Sequence, residues 1–97
     1  MRDNLVVTLG GQTYAVECPW GALPDGQKFG PVSQLAVDSQ DRVYVFQRSN
    51  PPVLVFDSDG TLVDSWGEGE FSDAHGIFIN RDDLVLLVDG AAHQILA

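Results

Sequence analysis

From residue 29 onward the sequence repeats itself at an offset of 42 positions without a gap. Phe29 recurs as Phe71, Leu35-Ala36-Val37-Asp38 as Ile77-Phe78-Ile79-Asn80, Asp41 as Asp83, and Val43-Tyr44-Val45-Phe46 as Val85-Leu86-Leu87-Val88. A repeat is the strongest constraint a short chain can carry, because each copy must solve the same folding problem and the copies must then cover one another.

The contents of the repeat say what each copy is. Apolar spacing suited to a helix is nearly absent, whereas short apolar or alternating runs recur between clusters of Gly, Asp, Asn and Pro. Strands are expected at Leu5–Leu9, Thr13–Cys18, Gln34–Asp38, Arg42–Phe46, Val53–Asp57, Thr61–Ser65, Gly76–Ile79, Leu84–Val88 and His93–Leu96. Asp57-Ser58-Asp59-Gly60 supplies side-chain acceptors and a glycine for a tight hairpin turn, and Ser39-Gln40-Asp41 and Asn80-Arg81-Asp82-Asp83 read as equivalent turns one repeat apart. The Pro- and Gly-rich stretch from Trp20 to Pro31 reads as a loop. The fold class is all-β. A period in the low forties with about four strands is the size of one β-propeller blade, so residues 29–67 make a complete blade and 68–97 an incomplete second one, after N-terminal strands and a loop over 1–28. Thr13 to Gly21 ends in Trp20-Gly21 as the complete unit ends in Trp66-Gly67, so it reads as a fourth strand with no blade in front of it. Two blades leave two apolar faces open, which calls for missing blades or for further copies in a homo-oligomer.

Composition excludes other classes. In 97 residues, 14 acids stand against 5 bases for a net charge of −9, which repels phosphate backbones and anionic lipid; neither nucleic acid nor membrane is an expected partner. The aliphatic run Leu84–Val88 is far shorter than the roughly 20 residues that span a bilayer, and the apolar residues between Asn4 and Gly10-Gly11 are too few for the apolar stretch of a secretory signal. The chain reads as cytoplasmic, although a processed secreted protein would look the same. Cys18 stands alone, without a disulfide partner, a second zinc thiolate or a basic neighbour to activate it, and is assigned to packing.

The segments Phe29-Gly30-Pro31-Val32-Ser33-Gln34-Leu35-Ala36-Val37-Asp38, Arg42-Val43-Tyr44-Val45-Phe46, Val53-Leu54-Val55-Phe56-Asp57-Ser58-Asp59-Gly60 and Ser65-Trp66-Gly67 together resemble an NHL-type propeller repeat. More narrowly they resemble the N-terminal third of the six-bladed propeller of peptidyl-α-hydroxyglycine α-amidating lyases. The resemblance implies a metal-lined central channel in which a peptidyl-α-hydroxyglycine substrate is cleaved to a peptide amide and glyoxylate. It places the family's catalytic arginine, in a Phe-x-Arg motif, at Arg48 of Phe46-Gln47-Arg48, and its first zinc histidine at His75 of His75-Gly76-Ile77. It places two backbone carbonyls of a calcium site at Leu35 and Ile77. Asp89 and Ala92-His93-Gln94-Ile95 match blade positions without a catalytic role. The remaining zinc histidines, the catalytic tyrosine and the calcium aspartate belong to blades this sequence does not contain.

The residues by themselves leave alternatives open. His75 beside Gly76, which would free the backbone to turn the ring, suits a zinc donor or a strand-start histidine bonded to a neighbouring carbonyl. Arg48 suits a group that holds a carboxylate, or one half of a surface ion pair. Asp41, Asp57, Asp59, Asp82 and Asp83 lack the spacing of a calcium loop and read as turn formers. Trp66 reads as core, Trp20 as core or as a stacking surface, and His93 as a turn residue. Two functions from different classes follow. One is the channel-bearing part of an amidating-lyase-like propeller, with zinc and calcium as its cofactors. The other is a non-catalytic NHL-repeat module acting as an interaction scaffold.

Overall fold

The computed structural model describes residues 5–17, 20–24, 26–91 and 94–96, and these hold nine strands and no helix. Cys18 and His93, assigned above to packing and to a turn, lie outside the described residues. All nine expected apolar runs contribute strands, with their ends shifted. β1 (Val6–Leu9) and β2 (Gln12–Ala15) form a hairpin; β3 (Val32–Val37), β4 (Val43–Gln47), β5 (Val53–Phe56) and β6 (Leu62–Trp66) form a four-stranded antiparallel sheet in chain order; β7 (Ala74–Ile79), β8 (Val85–Asp89) and β9 (Gln94–Leu96) form a three-stranded one. The reading of Thr13–Cys18 as the fourth strand of another blade is modified here, because β2 pairs with β1 instead. The cause is local: Gly10 and Gly11 take φ of 57° and 82°, which closes a two-residue turn that few other residues could make.

The repeat extends into backbone geometry. A register shift between Val32 and Gln34 in β3 recurs between Ala74 and Gly76 in β7. Asp41 and Asp83, one repeat apart, both take φ of 61°, a left-handed conformation that Asp tolerates better than most side chains. Both turns close with the same backbone bonds: Asp41 N to Asp38 O and Asp38 N to Arg42 O in the first, Asp83 N to Asn80 O and Asn80 N to Leu84 O in the second. The side chain that organises each turn is also equivalent. Asp38 Oδ1 accepts from Gln40 N and Arg42 N, and Asn80 Oδ1 accepts from Asp82 N and Leu84 N. A buried carboxylate is tolerated at 38 because Arg42 Nε, at 2.8 Å, and the Tyr44 hydroxyl bond its Oδ2. In the second repeat those two positions hold Leu84 and Leu86, and the neutral amide of Asn80 stands instead.

Alternation along the strands gives the four-stranded sheet two apolar faces. Phe46, Val53 and Val55, with Ala36, Tyr44 and Trp66, pack against Ala74, Ile77 and Leu87 of the three-stranded sheet, with Val85 and Leu96 beside them. Phe71, from the connection, meets Phe46 edge to face with centroids 5.0 Å apart. On the opposite face Val45, Leu54 and Phe56 are covered in part by Trp20 and Leu23 of the N-terminal loop. Trp20 therefore packs in the core, tilted on Phe56 at 5.6 Å. The loop is held by Ala22 N donating to Gly60 O and by a single parallel bridge to Thr61.

Two predictions follow from this packing. Phe46 is fully buried, so Phe46→Ala should lower unfolding free energy by about 3–5 kcal/mol, read from urea denaturation. For Asp38, burial pushes the carboxyl pKa up, but hydrogen bonds from Arg42, Gln40 and Tyr44 outweigh it and hold the group at about 2 against 3.8. A folded carboxyl more acidic than the unfolded one contributes its stability in full above the unfolded value and loses it as the pH falls from there through about 2. Asp38→Asn keeps the Oδ1 acceptor, so the urea midpoint of the variant should fall less steeply between pH 5 and pH 2 than that of the wild type, with the backbone turn retained.

Candidate functional site

The two sheets meet along β3 and β7, which run in the same direction, since their partners rise together from Ser33 with Ala74 to Gln34 with Ile77 to Ser39 with Asp83. Each of these strands is the first of its sheet and presents an edge that pairs with no other described strand. Side chains satisfy part of that edge. Ser33 Oγ donates to Ala74 O, Gln34 Oε1 accepts from Ile77 N at 2.8 Å, and Asp83 accepts from both the backbone N and the hydroxyl of Ser39. Gly76 lies in extended strand rather than at a turn. What its missing Cβ allows is the approach of Gln34 Oε1, which a Cβ would meet at 3.1 Å, so the expected backbone freedom beside His75 is replaced by a need for clearance.

At the end of this seam where β4 and β8 finish, a shallow cleft of about 150 Å³ is lined by Gln47, Arg48, Ser49, Asn50, Pro52, Phe71, Ser72, Asp73 and Ala74. Gln47, which lines it, and Asp89, one repeat on, are buried polar side chains in equivalent places. Gln47, 2% exposed, accepts from Gly30 N and donates Nε2 to Pro51 O. Asp89, 1% exposed, accepts from the backbone N of Ser72, Asp73 and Ala91. Each ties the loop entering its sheet to the end of the second strand, and Arg48 N to Pro31 O and Gly90 N to Asp73 O do the same through the backbone. Sequence reasoning passed over Gln47, Ser33, Gln34 and Asp73. The available signal was the pair of polar residues, Gln47 and Asp89, closing two apolar strands at the repeat distance.

The residues singled out from the sequence fall as follows. Arg48 is half-exposed and crosses from the first sheet to the second: Nε lies 3.2 Å from Asp73 Oδ1 and donates to Ala74 O at 3.3 Å. Both described side-chain contacts of Arg48 use Nε, so neither engages the two terminal guanidinium nitrogens, which can donate to an anionic or carbonyl oxygen. His75 is exposed and follows the residue whose carbonyl Arg48 holds, so the two side chains emerge at the same end of the seam. Leu35 and Ile77 occupy equivalent places in the middle of β3 and β7, away from Arg48 and His75 along the strands. Because the Ile77 N–H leaves its sheet toward Gln34, its carbonyl faces the same uncovered edge, and the repeat places the Leu35 carbonyl likewise.

Among the described residues no three His, Cys, Asp or Glu side chains come together in a way that could hold a metal ion. A catalytic zinc needs about three protein ligands and calcium six to eight oxygens, so the described residues fit neither ion as a complete site. His75 and the two carbonyls are single donors whose partners would have to come from elsewhere.

Two substitutions separate the seam's contributions. Gln34→Ala leaves the Ile77 N–H without its acceptor and should cost about 1–3 kcal/mol, whereas Asp73→Asn, at a half-exposed ion pair, should change stability by less than about 1 kcal/mol; urea denaturation of both variants measures the contrast. Comparison with protein-family models, with curated proteins and with solved structures finds no match for this chain.

Proposed function

We propose that this chain is the two-blade part of an NHL-type β-propeller of the amidating-lyase kind, contributing Arg48 and His75 to a channel site that converts a peptidyl-α-hydroxyglycine to a peptide amide and glyoxylate. One observation carries the reading. Where the repeat breaks at Arg42 and Tyr44, against Leu84 and Leu86, the new side chains serve the Asp38 turn; the breaks at Arg48 against Gly90 and His75 against Ser33 organise no turn and fall at one end of one seam. Blade structure alone requires neither. At Gly90, in the turn after β8, a Cβ would crowd Asp73 Oδ2 at 3.0 Å.

The chemistry open to these residues is binding and polarisation. Arg48, fixed through Nε by Asp73 and the Ala74 carbonyl, offers a planar cation to the carboxylate or hydroxyl oxygen of an α-hydroxyglycine terminus. His75, one residue after the carbonyl that Arg48 holds, offers an imidazole nitrogen as one donor of a metal set completed by other blades. The parallel inner strands, with the Leu35 and Ile77 carbonyls facing their open edges, agree with a channel wall. The non-catalytic scaffold reading is favoured by a different observation, the use of Arg48 Nε as a tether between the sheets.

The two readings separate in solution. Titration of a peptidyl-α-hydroxyglycine into 15N-labelled protein should shift the Arg48 Nε–H resonance, with the response lost in Arg48→Ala and kept in Arg42→Ala. Because other blades must complete the metal set, zinc is added to protein concentrated until further copies associate, where it should shift the His75 imidazole resonances. If ligand and zinc move neither residue in the associated protein, the scaffold reading stands and the lyase reading is withdrawn.

A further inference from the structure

The repeat gives every apolar position on one sheet a counterpart on the other, which makes the two open faces of the molecule readable. The three-stranded sheet receives its neighbour on a surface formed by Phe71, Ala74, Ile77, Val85 and Leu87. Their counterparts 42 positions earlier are Phe29, Val32, Leu35, Val43 and Val45. Those five residues, with Trp20, line an open apolar groove on the far face of the four-stranded sheet. Leu35 there is 56% exposed.

The other half of the internal interface is duplicated too. The four-stranded sheet inserts Ala36, Tyr44, Phe46 and Val53 into the seam, and their counterparts are Phe78, Leu86, Val88 and Ile95. The register pairs Phe78 with Leu86 and Val88 with Ile95, so all four lie on one face, the outer face of the three-stranded sheet. Phe78 is 61% and Ile95 72% exposed. The molecule therefore carries one made interface and, at its two ends, the unmade halves of another of the same kind.

We infer that a second copy of this chain docks head to tail, seating the Phe78/Ile95 face of one copy in the Leu35 groove of the next. The contact continues the internal interface, with the connector already in place: Gly21 approaches Phe29 as Gly67 approaches Phe71, at 3.3 and 3.2 Å from ring carbons to an ideal Cβ, both with φ near 90°. A second feature agrees with an added neighbour. The β1–β2 hairpin, which precedes Trp20, exposes Val6, Val7, Leu9 and Tyr14 and meets no other described strand, although a two-stranded hairpin alone is marginal in water. The inference uses only the repeat and is independent of the chemistry at Arg48 and His75.

A heterologous contact has a signature that a face meeting its own copy lacks. Leu35→Glu blocks the groove and Phe78→Glu blocks the opposite face, each at an exposed position that the fold does not bury. In sedimentation velocity the wild type should exceed the monomer mass with rising concentration, and each variant alone should run as a monomer with wild-type circular dichroism. Mixed in equal amounts, the two variants should give a species of twice the chain mass, because each supplies the face the other lacks; the double variant should add to neither. Should either variant lose its circular dichroism, Val32→Glu and Ile95→Glu form the equivalent pair. A wild type that stays monomeric to its solubility limit overturns the inference, as does a mixture that remains monomeric while the wild type associates.

Discussion

The structure depends on the seam in which Phe46, Val53 and Val55 of one sheet close on Ala74, Ile77 and Leu87 of the other. Neither sheet has a helix layer to cover it, so the only described partner for each of these faces is the other sheet. Fully burying aliphatic and aromatic side chains is worth roughly 1.5–3 kcal/mol each, and these residues include the most enclosed in the chain. The polar contacts along the seam take their positions from that burial. Gln34 reaches Ile77 N, and Arg48 reaches Asp73, because the apolar faces set β3 and β7 side by side at fixed register.

Polar groups then divide into two kinds. Asp38 and Asn80 shape turns, and Gln47 and Asp89 secure strand ends, at equivalent positions in both repeats. In the first pair the identity differs for a local reason: Asp38 has Arg42 to balance its charge, and Asn80 has a leucine there. Arg48 and His75 belong to neither set. They have no counterpart of similar chemistry in the other repeat, and Arg48 bonds the carbonyl of the residue before His75.

Much of this was legible beforehand. The all-β class, the nine apolar runs and the paired turns followed from short-range chemistry, because alternation and turn residues act within a few positions. The equivalence of Asp41 and Asp83 extended to their left-handed backbone. Part of the candidate site was not legible. Nothing in the spacing of Arg48 and Asp73 announces a pair, since 25 residues and two strands separate them. Gly76 was read as backbone freedom, whereas the fold uses it as clearance for Gln34, a contact between sheets.

The sequence by itself determined which segments are strands, where they turn, and that one unit follows another at a fixed spacing, because these depend on neighbours along the chain. Only the tertiary structure decided which face of each sheet is covered, that the N-terminal strands pair with each other, and that Arg48 spans the seam to the residue before His75. Those outcomes depend on which apolar surfaces meet in space. A sheet with two apolar faces carries no local instruction about which of them its neighbour will take.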